Sequence, residues 1–230
     1  MEQGIFITGT DTDVGKTLVT GLLAQCLLKQ ARSVITQKWV QSGCVGFPED
    51  IDTHLSLMGR TREYIVDYQD AVCPYIFALP ASAHLAAEAE SRSIDLAVIK
   101  QAYEQLESRF DTVLVEGMGG ALVPYSRKAL LLDLVDELDL PVLVVAKNQL
   151  GAINHTLLTV EALQSRGITI SGIIFNGPEH EPDAISQDNP QIIQDLTDLR
   201  ILGTLPWTQD KAALKKAFES IGKAIVDLGL

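Results

Sequence analysis

Short apolar runs alternate along this chain with longer stretches whose apolar residues recur every three to four positions. The first run, Ile5-Phe6-Ile7, predicts a buried strand that breaks at Gly9. A loop ending Gly15-Lys16-Thr17 follows. Leu18, Leu22 and Cys26 then mark one side of a helix, with Val19, Leu23 and Leu27 beside them. Residues 33–40 predict a second strand, residues 44–53 an acidic loop containing Pro48, and residues 54–58 the opening of a short helix. Residues 62–80 read as irregular chain, and residues 82–89 as a helix with Ser82 placed to cap it. Ser93 is expected to cap the next helix, which carries Leu96, Ile99, Tyr103, Leu106 and Phe110.

Thr112-Val113-Leu114-Val115 predicts a buried strand ending at Glu116 and a glycine run, followed by a helix over 129–138 and a strand over 141–146. Ile153, Leu157, Val160 and Leu163 mark a further helix, and residues 168–175 a further strand ending at Asn176. Residues 179–190 are polar and turn-rich, which predicts a mobile surface loop. A short helix, a strand at Ile201-Leu202 and a terminal helix burying Leu214, Phe218, Ile221, Ile225 and Leu228 complete the pattern. Such alternation predicts an α/β fold, P-loop NTPase-like, with a mostly parallel sheet and helices on both faces. No repeat or linker divides the chain, so one domain is expected over residues 1–230.

The segment GIFITGTDTDVGKT carries the clearest chemistry. Strand, glycine loop and helix are the context a phosphate-binding loop requires: its N–H groups and the helix N-terminus face phosphates. Lys16 would supply a cation to the outer phosphates and Thr17 a hydroxyl to Mg²⁺. The first glycine of G-x-x-x-x-G-K-[ST] would fall at position 10, where this chain has Thr10; Gly9 stands one place earlier. Glu116, at a strand end before Gly117-Met118-Gly119-Gly120, is a Walker-B-like carboxylate. Lys38 ends the second strand, where open parallel sheets gather ligands, although taken alone a solvated lysine there is the more ordinary reading. Glu49, Asp50 and Asp52 form an acidic cluster, one member of which could reach Mg²⁺ beside Thr17.

Composition narrows the partners. With 30 acidic against 18 basic residues, a formal net charge of −12 argues against nucleic acid or an anionic membrane surface. The three cysteines form no C-x-x-C pair, which suits reduced thiols in a cytoplasm, and the four histidines show no metal-ligand spacing. No signal peptide and no apolar run of bilayer length is visible.

GTDTDVGKT, KWVQSG, VEGMGG and LGAINH occur in that order, and together they resemble the dethiobiotin synthetase family over essentially the whole chain. The resemblance implies an ATP- and Mg²⁺-dependent enzyme of biotin synthesis, a homodimer whose active site lies at the subunit interface. It would carboxylate 7,8-diaminononanoate with CO2 and close a ureido ring. Lys38 and Lys16 then correspond to catalytic cations, and Thr17, Asp52 and Glu116 to Mg²⁺ ligands. The nucleotide would be held by Thr12, Asp13, Val14, Gly15, Lys16, Thr17, Asp52, Glu116, Gly117, Met118 and Gly119. Its base would lie against Asn176, Gly177, Thr204, Leu205 and Pro206. Thr12, Ser42, Gly119, Gly120, Gly151 and Asn154 correspond to substrate contacts, with Asn154 reaching in from the neighbouring subunit. Asn176 has an equally good reading as turn chemistry before Gly177. Two departures stand out: Trp39 replaces the proline that usually follows the family's lysine, and Lys147-Asn148-Gln149 precedes LGAINH. The rival class is a partition- or nitrogenase-type switch ATPase. Such proteins carry an additional loop lysine where this chain has Asp11.

Overall fold

The computed structural model describes residues 4–179 and 181–229. The chain opens with β1 (Gly4–Gly9), α1 (Lys16–Leu28), β2 (Val34–Lys38) and β3 (Val40–Ser42). It continues through α2 (Glu49–Met58), a 3-10 turn (Arg62–Tyr68), α3 (Gln69–Val72), β4 (Tyr75–Phe77), α4 (Ala83–Ala89) and α5 (Leu96–Glu107). Then come β5 (Thr112–Glu116), β6 (Pro124–Ser126), β7 (Ala129–Leu130), α6 (Leu132–Glu137) and β8 (Val142–Lys147). The last elements are α7 (Ala152–Gln164), β9 (Ile170–Asn176), α8 (Ala184–Thr197), β10 (Ile201–Leu205) and α9 (Lys211–Val226).

Six strands form one parallel sheet in the order β10-β9-β8-β1-β5-β2, with β1 in the interior. Parallel strands must be covered on both faces, and the core divides accordingly. On one face α1 and α9 bury Leu23, Leu27, Phe218 and Ile225 against Ile5, Ile7 and Leu114. On the other, α5 and α7 supply Ile99, Leu106, Val160 and Leu163 against Phe6, Val113 and Val144. Among the described residues no helix is long and apolar enough to cross a membrane.

Several departures from the sequence reading have identifiable causes. Residues 44–53 are not all loop: α2 starts at Glu49, and its three acidic residues occupy the first turn, where the helix dipole favours negative charge. Residues 179–190 are not all loop either. Asp183 caps α8 by accepting from the Ser186 N–H at 2.8 Å, while the Ser186 hydroxyl accepts from the Asp183 N–H. Pro190 sits inside that helix without an N–H for the Ser186 carbonyl. The Asn148 side chain donates to that carbonyl instead, at 2.7 Å. Asp95 rather than Ser93 caps α5, accepting from the Ala97 N–H. The expected helix over 129–138 begins only at Leu132, because residues 124–130 form the β6–β7 hairpin.

Residues 33–40 split into β2 and β3 at Trp39. Its indole is fully buried, 5.1 Å from the Phe6 ring, and donates to the Gln37 side chain at 2.9 Å. The bulky side chain thus fills the core beneath the strand end while the chain bends away to pair β3 with β4.

Candidate nucleotide and substrate site

The strand order brings three chain segments together at one sheet edge. Ile7 of β1 and Lys38 of β2 both sit in register with Glu116 of β5. Immediately past β1 the loop turns over these strand ends and enters α1. Gly15 makes that turn at φ 98, a left-handed conformation, and the Asn176 side chain occupies the space a Cβ would need.

Lys38 is 4% exposed and lies between two carboxylates: Nζ is 2.7 Å from Glu116 Oε1 and 2.7 Å from Asp50 Oδ2. It also donates to the Gly117 carbonyl at 3.2 Å. Thr17 Oγ1 is 2.9 Å from Glu116 Oε1 and 3.3 Å from Asp50 Oδ1, so its single proton serves one of them at a time. The other Glu116 oxygen, Oε2, lies 2.7 Å from His54 Nε2. Lys16 Nζ reaches back and donates to the Asp11 carbonyl at 2.8 Å.

These contacts set the charges. Burial opposes ionisation of Glu116, but the Lys38 charge and hydrogen bonds from His54 and Lys38 outweigh it, holding the carboxyl at about 2. Burial also opposes the Lys38 ammonium; Glu116 and Asp50 overcome this and raise its pKa. Lys16 is lowered to about 8, first by burial and then by the like charge of Lys38.

A cavity of about 1020 Å³ opens over this cluster. Thr12, Asp13, Gly15, Lys16 and Thr17 line it from the loop and α1; Lys38, Ser42, Asp50 and Glu116 from the strand ends and α2. Met118, Gly119 and Gly120 close the glycine side. A second cavity of about 230 Å³ shares Asp13 and Gly15 and continues to Val14, Asn176, Gly177, Leu205 and Pro206. There the Asn176 amide donates to the Val14 carbonyl, tying the far strand end to the loop. Thr204 lies just before this turn and is exposed.

Three residues singled out in the sequence fall elsewhere. Asp52 points outward from α2 and pairs with Arg62, accepting from its Nε at 2.8 Å; Asp50, two residues earlier, is the helix's carboxylate in the cluster. Gly151 and Asn154, at the start of α7, are exposed and line neither cavity. Conversely, Asp50, His54 and Trp207 hold positions that the sequence did not single out individually. Asp50 and His54 are four apart, one face of a helix, a signal hidden by reading residues 44–53 as loop. Trp207, half exposed, lines the smaller cavity one residue past Pro206.

A phosphate-type loop at the centre of a parallel sheet, with a lysine, a hydroxyl and a strand-end carboxylate converging on one cavity, defines a P-loop nucleotide-binding protein of the α/β class. A family model described as an AAA domain matches residues 3–213. The dethiobiotin synthetase BioD 2 of Haemophilus influenzae is 43% identical over 192 residues, 82% of this chain and 99% of that protein. The synthetase of Anaeromyxobacter dehalogenans is 41% identical over 222 residues, 95% of this chain and 96% of its own. The chain belongs to the family of ATP-dependent dethiobiotin synthetases, ligases of biotin biosynthesis. In fold it is similar to the cell-division protein MinD of Aquifex aeolicus (TM-score 0.58, 18% identity, 99% of this chain and 95% of that one). A ParA family ATPase of Chlorobium tepidum gives a TM-score of 0.56 at 14% identity, covering 98% of both chains.

Proposed function

We propose that this chain carboxylates 7,8-diaminononanoate with CO2 and closes the ureido ring of dethiobiotin, converting ATP to ADP and phosphate. The observation that carries this reading is Lys38: a buried cation that ends β2 and faces the cavity shared with Lys16 and the glycine run. A carbamate approaching a triphosphate brings two anions together, so cations aimed at the developing charge are the main catalytic requirement.

In this reading the loop N–H groups and Lys16 hold the outer phosphates, and the smaller cavity past Asn176 takes the base. Thr12, Ser42, Gly119 and Gly120 face the diamine. One substrate amine adds to CO2, giving a carbamate and releasing a proton. The carbamate oxygen attacks the γ-phosphorus as the bond to ADP breaks; Lys38 stabilises the charge gathering there. The second amine then attacks the carbonyl carbon, the C–O bond to phosphate breaks, and phosphate and the amine's proton are released as the ring closes.

The oxygens of Thr17, Asp50 and Glu116 converge within hydrogen-bonding distance of one another or of Lys38, an all-oxygen donor set that suits Mg²⁺. Asp50 takes the role expected of Asp52. Mg²⁺ bound there would neutralise charge on the triphosphate. Gly151 and Asn154 lie beside Leu150, 83% exposed, which supports a homodimer in which this surface completes the neighbouring subunit's substrate site.

The test is phosphate release from Mg²⁺-ATP and bicarbonate with and without 7,8-diaminononanoate, with mass spectrometry of the organic product. Strong stimulation and a product gaining one carbonyl as a cyclic urea are expected. Hydrolysis indifferent to the diamine would favour a switch ATPase.

A further inference from the structure

We propose that His54 is a positioning residue for Glu116: it fixes one carboxylate oxygen so that the other alone faces Thr17 and Lys38. The two oxygens of Glu116 have separate partners. Oε1 is shared by Thr17 at 2.9 Å and Lys38 at 2.7 Å, whereas Oε2 is held by His54 Nε2 at 2.7 Å. His54 is 0% exposed, so no solvent competes for that contact.

Among the described residues the ring has no second polar tie: His54 Nδ1 is buried without a hydrogen-bond partner. Nε2 is the ring nitrogen placed to donate to a carboxylate acceptor, and among the described residues Glu116 is the polar anchor of this buried ring. A buried histidine serving the core alone would be expected to satisfy both nitrogens.

Helix packing explains how a side chain of α2 reaches the end of β5. Gly21 of α1 faces α2, and a Cβ there would lie 2.7 Å from Leu57 Cδ1 and 3.2 Å from His54 Cα. The absence of that atom lets the helices approach. The same helix carries Asp50, four residues before His54, so α2 sets one carboxylate directly and orients the other through the imidazole.

The inference rests on the cation reading above and deepens it. Mg²⁺ requires near-ideal octahedral geometry and is served by one oxygen from each carboxylate, whereas Ca²⁺ accepts a bidentate carboxylate. Leaving Glu116 a single oxygen on the cavity side would therefore favour Mg²⁺ over Ca²⁺. Outer partners of ligating carboxylates commonly contribute about 10–100-fold in metal affinity.

The experiment measures Mn²⁺ binding by electron paramagnetic resonance with ADP present, displaced by Mg²⁺ or Ca²⁺, in the parent, His54→Leu, His54→Gln and Glu116→Gln. His54→Leu should lose about tenfold or more in Mg²⁺ affinity while Ca²⁺ affinity changes little. His54→Gln, which keeps an N–H donor, should recover most of the Mg²⁺ preference. A lower melting temperature with an unchanged Mg²⁺-to-Ca²⁺ ratio would overturn the inference and leave His54 a packing residue. Equal Mn²⁺ binding by the parent and Glu116→Gln would instead overturn the metal role of Glu116 itself.

Discussion

Asp50 and Asp52 stand two residues apart in the same acidic turn, yet the structure gives them opposite surroundings, and their amide variants provide a sharp comparison. Asp50 Oδ2 lies 2.7 Å from a Lys38 whose side chain is 5% exposed, whereas Asp52 pairs with Arg62 on the outer face. At an effective dielectric near 20, one unit-charge pair near 3 Å interacts by roughly 5–6 kcal/mol before desolvation is subtracted. A carboxylate at similar range from a bound Mg²⁺ interacts with at least that strength, so with about half offset by desolvation Asp50→Asn should cost about 3 kcal/mol of metal binding, on the order of 100-fold in turnover at limiting Mg²⁺. Exposed ion pairs contribute little, so Asp52→Asn should stay within about twofold of the parent. Initial rates of phosphate release across a Mg²⁺ titration separate the two. A shifted Mg²⁺ dependence in Asp52→Asn, with Asp50→Asn behaving like the parent, would refute the geometry on which the cation site is built.

Other consequences concern charge and packing. Lys38→Met should lower turnover by roughly 10²–10³-fold while changing ATP affinity far less, because Lys38 is held by carboxylates rather than by the loop; unchanged single-turnover rates would remove it from the chemistry. Lys16 has a pKa lowered to about 8, so it is charged below that pH and loses its proton above it. Bound phosphates favour the charged form, so ADP affinity without metal should be flat below about pH 7. It should fall by up to about tenfold per unit above pH 8; affinity constant to pH 9.5 in calorimetric titrations would contradict this. Trp39→Leu removes the contact with Phe6 and leaves the Gln37 side-chain oxygen Oε1 without its donor. The expected cost is roughly 3 kcal/mol, or a melting point lower by about 6–12 °C; a change within about 2 °C would mean the strand end repacks.

Much of the sheet was legible because fully buried parallel strands leave continuous apolar runs, as at Ile5-Phe6-Ile7 and Val142–Ala146, that few other contexts explain. The phosphate loop was legible for a different reason: its backbone needs glycine at a left-handed position, and its chemistry needs Lys16 and Thr17 immediately afterwards. What escaped was set by long-range partners. Choosing Asp50 over Asp52 requires knowing where α2 begins, and that helix has no side-chain cap at Pro48 to announce it. The start of α8 was masked by its polar composition, since Pro190 looks like a helix breaker until Asn148, 42 positions earlier in the sequence, is seen to satisfy the carbonyl that proline leaves unpaired. Ser82 occupies the N-cap position of α4 but caps nothing with its side chain; its hydroxyl lies 3.1 Å from His84 Nδ1 instead.

The strand order explains why one loop can border two cavities. β1 lies between β5 and β8, so the chain continues outward on both sides of it, and the loop after β1 covers the point where the two halves diverge. On one side β5 and β2 deliver Glu116 and Lys38; on the other β8, β9 and β10 deliver Lys147, Asn176 and Leu205. Asp13 and Gly15 line the cavities of both sides. The sheet itself is similar to that of MinD and ParA proteins. The remaining wall is made by segments attached to the β2 and β5 side: Ser42 at the end of β3, Ser82 before α4, and the glycines after Glu116. In the proposed reading, chemistry particular to the synthetase family is therefore to be sought there and at Lys38, rather than in the loop after β1.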